Sequence, residues 1–236
     1  MKIKTMFWGM VIYALVLPFA VYAQAIYTFQ ATDDAWVNEL NPTAIYGNNT
    51  YLSVKDRSGL AEAYIRFSQE DINSLSGKTI ESASLFLYQY QGTNSQGDML
   101  NIHRVNSDWN ESSLSWSSAR PTYDSAAVSF LNISGEANIV GWREWSGLEN
   151  VVSGWGSGAN YGVALENHLD NNKEELFARF YSSEYSDPGL RPYLKVSTVT
   201  PEPVSSALFL MGALPLFLLN RRIRAKQCNS KFLEKT

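Results

Sequence analysis

Apolar and polar residues alternate over short runs through the middle of this chain, and clusters of Gly, Asn, Ser and Asp separate the runs. A period of two sends successive side chains to opposite faces of a strand, so each run reads as a half-buried β-strand. In Ala61-Glu62-Ala63-Tyr64-Ile65-Arg66-Phe67 one face holds Ala63, Ile65 and Phe67, and in 82–90 one face holds Ala83, Leu85 and Leu87. The two apolar faces are expected to meet in a core. Further strands are predicted at 50–55, 99–105, 161–166, 175–182 and 192–199. Ser95-Gln96-Gly97-Asp98 and Ser186-Asp187-Pro188-Gly189 supply turn chemistry between them. One short helix is predicted at 147–155, where Leu148, Val151, Val152 and Trp155 fall on one side. Many short strands bounded by turns predict an all-β fold, an antiparallel β-sandwich of jelly-roll type.

The two ends follow a different pattern. Lys2 and Lys4 precede an apolar stretch at 6–22, and Val21-Tyr22-Ala23 offers small residues for a signal peptidase, so residues 1–23 are read as a signal peptide. At the other end Pro201-Glu202-Pro203 precedes an apolar run at 204–219 and then Arg221, Arg222, Arg224 and Lys226. A helix of that length reaches about 24 Å at about 1.5 Å per residue, short of the roughly 30 Å hydrocarbon core. Pro215 would remove one of its hydrogen bonds, and the basic cluster would stay on the cytoplasmic side. Residues 201–226 resemble the PEP-CTERM sorting signal of Gram-negative bacteria. The resemblance implies recognition of Pro201, Glu202 and Pro203 by an exosortase, transient anchoring in the inner membrane through the tail, and delivery to the cell surface or extracellular matrix. The chain runs ten residues further, as a short cytoplasmic tail at 227–236, where such signals usually stop soon after the basic cluster. An ordinary tail anchor is the alternative.

Between these segments lie residues 24–200, a length suited to one domain. The whole chain has a formal net charge of −4, but this body has 21 acidic and 11 basic side chains, a net charge of −10. Duplex binding is driven by neutralising phosphates with Lys and Arg, so nucleic acid is not an expected partner. The one cysteine, Cys228, lies beyond the apolar run, which excludes disulfides, thiolate metal sites and a cysteine nucleophile from the body. His103 and His168 have no metal-ligand spacing with each other.

The order of small motifs in the body resembles the DNRLRE domain, a β-sandwich module of secreted bacterial and archaeal proteins. The resemblance covers roughly 31–199. It rests on Asp34-Ala35-Trp36-Val37, Tyr46-Gly47 before Leu52-Ser53-Val54, Ala63-Tyr64-Ile65-Arg66-Phe67 and Ile80-Glu81-Ser82-Ala83-Ser84-Leu85-Phe86-Leu87-Tyr88. Further on come Ile102-His103-Arg104-Val105, Trp109-Asn110-Glu111-Ser112 with Trp116, Asn160-Tyr161-Gly162-Val163-Ala164-Leu165, Phe180-Tyr181-Ser182-Ser183-Glu184 and Arg191-Pro192-Tyr193-Leu194. Some relatives are grouped among carbohydrate-binding modules acting on alginate-like polymers, so the resemblance implies glycan binding.

Candidate chemistry lies on the faces opposite the core. There the alternation places Tyr64 and Arg66; Phe86, Tyr88 and Tyr90; His103; Arg179 with Tyr181; and Tyr193 with Lys195. If those strands share a sheet, the rings could stack on sugars while Arg66, Arg179 and Lys195 bind carboxylates or hydroxyls, a surface suited to an acidic polysaccharide. The competing reading is that the aromatics form a second core layer under a long loop, with the cations paired to neighbouring acids. Of Trp109, Trp116, Trp142, Trp145 and Trp155, most are expected to be buried. No cofactor is implied, although Asp33, Asp34, Asp98 and Asp108 could supply oxygen ligands to a structural calcium. A polysaccharide lyase is the enzymatic alternative, with His103, Tyr88 and Arg66 at its centre, yet Asn101-Ile102-His103 is only a loose echo of a lyase motif. Adjacent Asp33 and Asp34 point to opposite faces of a strand and cannot form a hydrolase pair. The sequence therefore favours a non-enzymatic, exported surface or matrix protein that binds polysaccharide, against a purely structural envelope protein.

Overall fold

A computed structural model describes residues 22–57, 59–93, 98–133, 140–167 and 177–201. The expected targeting segments fall outside the described residues, apart from 22, 23 and 201. Among the described residues no helix is long and apolar enough to cross a membrane. Gln24–Thr200 form one compact unit.

The unit is all-β, with two short helices. Its strands are β1 Tyr22–Asn38, β2 Tyr51–Lys55, β3 Ala61–Phe67, β4 Thr79–Thr93, β5 Asp98–Arg104, β6 Ser129–Ile133, β7 Gly141–Trp145, β8 Val163–Glu166, β9 Phe177–Tyr181 and β10 Tyr193–Pro201. Helix α1 spans Gln69–Asn73, capped by Ser68, whose Oγ accepts from the Asp71 N–H, and α2 spans Glu149–Ser157. Hydrogen bonding links the strands in the order β1-β10-β4-β9-β2-β3-β8-β5-β6, with β7 on the free edge of β4.

Two features fold this path back on itself. Strands β2 and β3 pair only at Lys55 opposite Ala61, so the sheet turns there. Strand β1 then bridges the ends: Ala31 N–H donates to Pro192 O just ahead of β10, while the rest of β1 pairs with β3 from Ala31 opposite Phe67 to Asn38 opposite Ala61, with a bulge between Ala31 and Asp33. The result is one layer of β7, β4, β10, β9 and β2 packed on a second of β3, β8, β5 and β6.

The principal core lies between the layers. Leu52, Val54, Leu85, Leu87, Phe180, Leu194 and Val196 meet Ala63, Ile65, Leu100, Ile102 and Leu165 there. Trp145 and Trp155 are fully buried in it, and each large apolar side chain so buried contributes about 1.5–3 kcal/mol. The apolar side of α2, Val151, Val152 and Trp155, closes this core as the helical period requires.

The alternating runs match strands: 61–67 is β3, and 82–90 lies inside the longer β4. The predicted helix at 147–155 is α2, displaced by two residues. Strands β1, β6 and β7 and helix α1 are additions: β6, β7 and α1 have five residues each, too few to display a period, and a bulge between Ala31 and Asp33 interrupts the alternation of β1. Val163 follows Gly162, whose φ of +80° favours glycine and whose Cβ, if present, would sit 2.1 Å from Ile65 O. That close approach sets where β8 begins to pair with β3.

Candidate functional site

The ten residues proposed as one face divide into two groups. Tyr64, Arg66 and His103 lie on the outer side of the β3, β8 and β5 layer, beneath the segment 105–124. Tyr64 is fully buried, in a second apolar cluster with Ala35, Val37, Val105, Trp109, Leu114 and Ala164. Its hydroxyl donates to Glu62 Oε2 at 2.5 Å, and Tyr123 from the covering segment donates to Glu62 Oε1 at 3.3 Å. Burial, and then the Glu62 charge, push both phenols far up, so they stay neutral donors. Arg66 is bound by Asp33 and by Asp108 of the covering segment, with its guanidinium 5.0 Å from the Trp109 ring centre.

His103 is 3% exposed. Its Nδ1 lies 2.7 Å from Asp124 O and its Nε2 lies 2.7 Å from Glu166 Oε1. Two acceptors require two ring N–H groups, so the geometry favours imidazolium. Burial opposes that charge, but the Glu166 carboxylate and the Asp124 carbonyl outweigh it and raise the pKa above 6.5. For these three residues the second-layer alternative describes the surroundings, with each cation held by acids. His103 and Arg66 also lie on a different layer from Tyr88, so the three groups of the lyase alternative do not converge.

The other seven residues lie on the outer side of β4, β9 and β10, and here the pairing register brings rings together. Tyr193 is opposite Phe86, and their rings stack at 4.7 Å. Trp142 of β7 is opposite Tyr88 and meets it edge to face at 5.3 Å, and meets Tyr193 at 5.0 Å. Tyr88 and Tyr90 both stack on Tyr181, at 5.7 and 4.6 Å. Tyr185, in the turn after β9, stacks on Tyr181 at 3.6 Å. Tyr51, opposite Tyr181 on β2, extends the run to Tyr90 and to Trp36. Aromatic contact is thus continuous from Phe86 to Tyr185 across the four strands β10, β4, β7 and β9, and Tyr51 carries it onto a fifth, β2.

This ladder presents itself in an unexpected way. Sugar rings were expected to lie on ring faces, yet Tyr181 is stacked by three neighbours and offers mainly its edge and hydroxyl. A hydrogen bond with Tyr185 and then burial push its pKa to about 12. Burial also raises Tyr90 and Tyr193, with Glu144 adding to the second. These hydroxyls stay protonated at neutral pH and can donate and accept. Trp142, 39% exposed, is the ring most open to a sugar face.

Two cations border the ladder. Lys195 is exposed on β10, one outward position beyond Tyr193. The Arg179 guanidinium lies 4.8 Å from the Tyr51 ring centre and 4.7 Å from that of Phe177, and it donates to Gln91 Oε1 at 3.1 Å. Beside it, where β2 and β3 splay apart, is a cavity of about 380 Å³ lined by Trp36 and Asn38, Ser53 and Lys55, and Phe177 and Arg179.

Three contributors escaped the sequence reading. Trp142 was one of five tryptophans expected to be mostly buried; Trp109, Trp145 and Trp155 are, but alternation along β7 turns Trp142 outward and Trp145 inward. Tyr51 has the same outward parity as Ser53 and Lys55. Tyr185 sits in a turn and follows no period. Its place is fixed by bonds around it: Ser182 Oγ donates to Asn49 O, Tyr185 N–H to Ser182 O, and Ser183 N–H to Asp34 Oδ2 at 2.7 Å.

Of the proposed calcium ligands, Asp33 and Asp108 bind Arg66, Asp34 is buried against Ser183, and Asp98 opens β5. Among the described residues no group of three or more His, Cys, Asp or Glu side chains is arranged to hold a metal ion. Burial, with Glu184 and then Glu111 nearby, raises the Asp34 pKa well above 3.8. The sorting residues Glu202, Pro203, Arg221, Arg222 and Arg224 lie outside the described residues, and Pro201 ends β10.

Comparison with known proteins places this geometry. The profile of carbohydrate-binding module family 96 matches residues 25–198. No curated protein matches the chain.

Proposed function

The chain belongs to carbohydrate-binding module family 96, and we propose that it binds a polysaccharide of acidic character along the ladder from Phe86 to Tyr185, as a non-catalytic protein exported to the cell surface or matrix. The observation that carries this reading is the continuous aromatic contact across four strands, on a face whose largest ring, Trp142, stands open to solvent. Sugar C–H groups can lie on Trp142, while the phenol hydroxyls and the Arg179 and Lys195 cations match hydroxyl and carboxylate groups. Export through a cleaved signal peptide and a Pro-Glu-Pro sorting signal, with an exosortase as partner, supplies the setting in which such a polymer is met.

A glycan array of uronate and neutral polymers, run with and without calcium, tests the reading. Binding is expected to at least one acidic polymer and to fall at least tenfold in Tyr88→Ala plus Arg179→Ala, a loss of about 1.4 kcal/mol or more. No binding by the parent chain would sink the proposal in favour of a structural envelope protein. Equal binding by the double variant would move the site off the ladder.

A further inference from the structure

We infer that the cavity between β2 and β3 is an oxyanion subsite, which takes the carboxylate or sulfate of one acidic sugar residue while the chain extends over the ladder. The inference deepens the polysaccharide reading, since it assigns charge selection to one place. The cavity opens at the end of the ladder: Tyr51 contacts Tyr90 on one side, and Trp36 and the Arg179 guanidinium on the other. Its volume of about 380 Å³ falls within the range of about 300–1,000 Å³ typical of small-molecule pockets.

Its chemistry is one-sided. Among the described residues that line it, Lys55 and Arg179 are basic and none is acidic, although the body around it has a net charge of −10. Trp36 Nε1 and Arg179 Nε are buried without a hydrogen-bond partner among the described residues. These two N–H dipoles add to the positive potential of the Arg179 guanidinium. The guanidinium is also held before any ligand arrives, since Tyr51 and Phe177 lie against it and Gln91 fixes Nη1. A preformed, positively polarised cavity of this size favours an anionic sugar over its neutral counterpart.

The Trp36 indole N–H resonance, assigned by its loss in Trp36→Phe, gives a local readout in the full-length chain. Glucuronate and glucose 6-sulfate are expected to shift it, and glucose is not; the tighter of the two acids tells whether carboxylate or sulfate is the natural group. Arg179→Lys, which keeps the charge but loses the planar fork, is expected to weaken the acid sugar at least tenfold without lowering the melting temperature. No shift with either acid sugar, or an equal shift with glucose, would overturn the subsite even if polymer still bound at Trp142. Conversely, acid-sugar binding here with no polymer bound at all would preserve the subsite and remove the ladder reading.

Discussion

The two outer faces of this sandwich begin from the same alternation of aromatic and charged residues and end in opposite states. Over β3, β8 and β5 the segment 105–124 lies on the sheet; Tyr64 and His103 are buried in bonds to Glu62 and Glu166, and half-buried Arg66 is held by Asp33 and Asp108. Over β4, β9 and β10 the rings pack on one another and reach solvent. Outward parity on a strand therefore decides only which side a residue takes. Whether it meets water or a second layer depends on a segment with no periodic signal of its own.

The largest way to break the contrast is to remove the peg that holds the cover. Trp109 is 4% exposed and donates from Nε1 to Tyr161 O at 2.8 Å. Trp109→Ala is expected to cost about 3–5 kcal/mol in denaturant unfolding, whereas Trp142→Ala on the open face should cost about 1 kcal/mol or less and act on glycan binding instead. Equal losses would mean that the open face is core as well. Gly162→Ala should follow at about 2–4 kcal/mol, since it forces an alanine to positive φ and onto Ile65 O.

A smaller effect separates the faces by pH. His103 has a folded pKa raised above 6.5, so its contribution is complete below that value and is lost as pH rises through the folded pKa. Melting curves should decline over that window, and His103→Gln should flatten them; an unchanged decline would show that the imidazolium pair does not hold the cover. Asp34, which supports the Tyr185 turn, has the same sign at lower pH. Its raised pKa means that its own contribution is complete below about 3.8 and is lost as pH rises through the folded pKa. Asp34→Asn should remove that fall while its amide oxygen still accepts from Ser183. If the variant melts along the parent's acid profile, Asp34 is not the titrating group.

Much of the layer structure was legible in the sequence, because strands buried on one side carry a period of two. Ala61–Phe67 was read to its ends, and Leu85 and Leu87 were correctly turned inward. Three strands were left unread: Ser129–Ile133 and Gly141–Trp145 are five residues each, too short for alternation to stand out from chance, and in Tyr22–Asn38 a bulge between Ala31 and Asp33 interrupts the period. The division of the candidate face had no sequence signal at all: Tyr64 and Tyr88 occupy equivalent places in their runs, and only the irregular segment over one of them makes the difference. Tyr185 joins the ladder because its own N–H donates to Ser182 O and the Ser183 N–H donates to Asp34 Oδ2, the second contact spanning 149 residues of chain.

Strand β10 carries a mechanical consequence. Tyr193 and Lys195 stand on its outer side, and its last residue, Pro201, passes the chain onward. Its pairing with β4 runs antiparallel from Tyr193 opposite Phe86 to Val199 opposite Thr79. A pull on polymer held at Tyr193 and resisted at Pro201 would therefore load this strand along its axis. Tension between those two points runs through the covalent backbone of β10 itself, as along a rope, while the ladder hydrogen bonds to β4 lie across that axis and keep the strand aligned without carrying the drag.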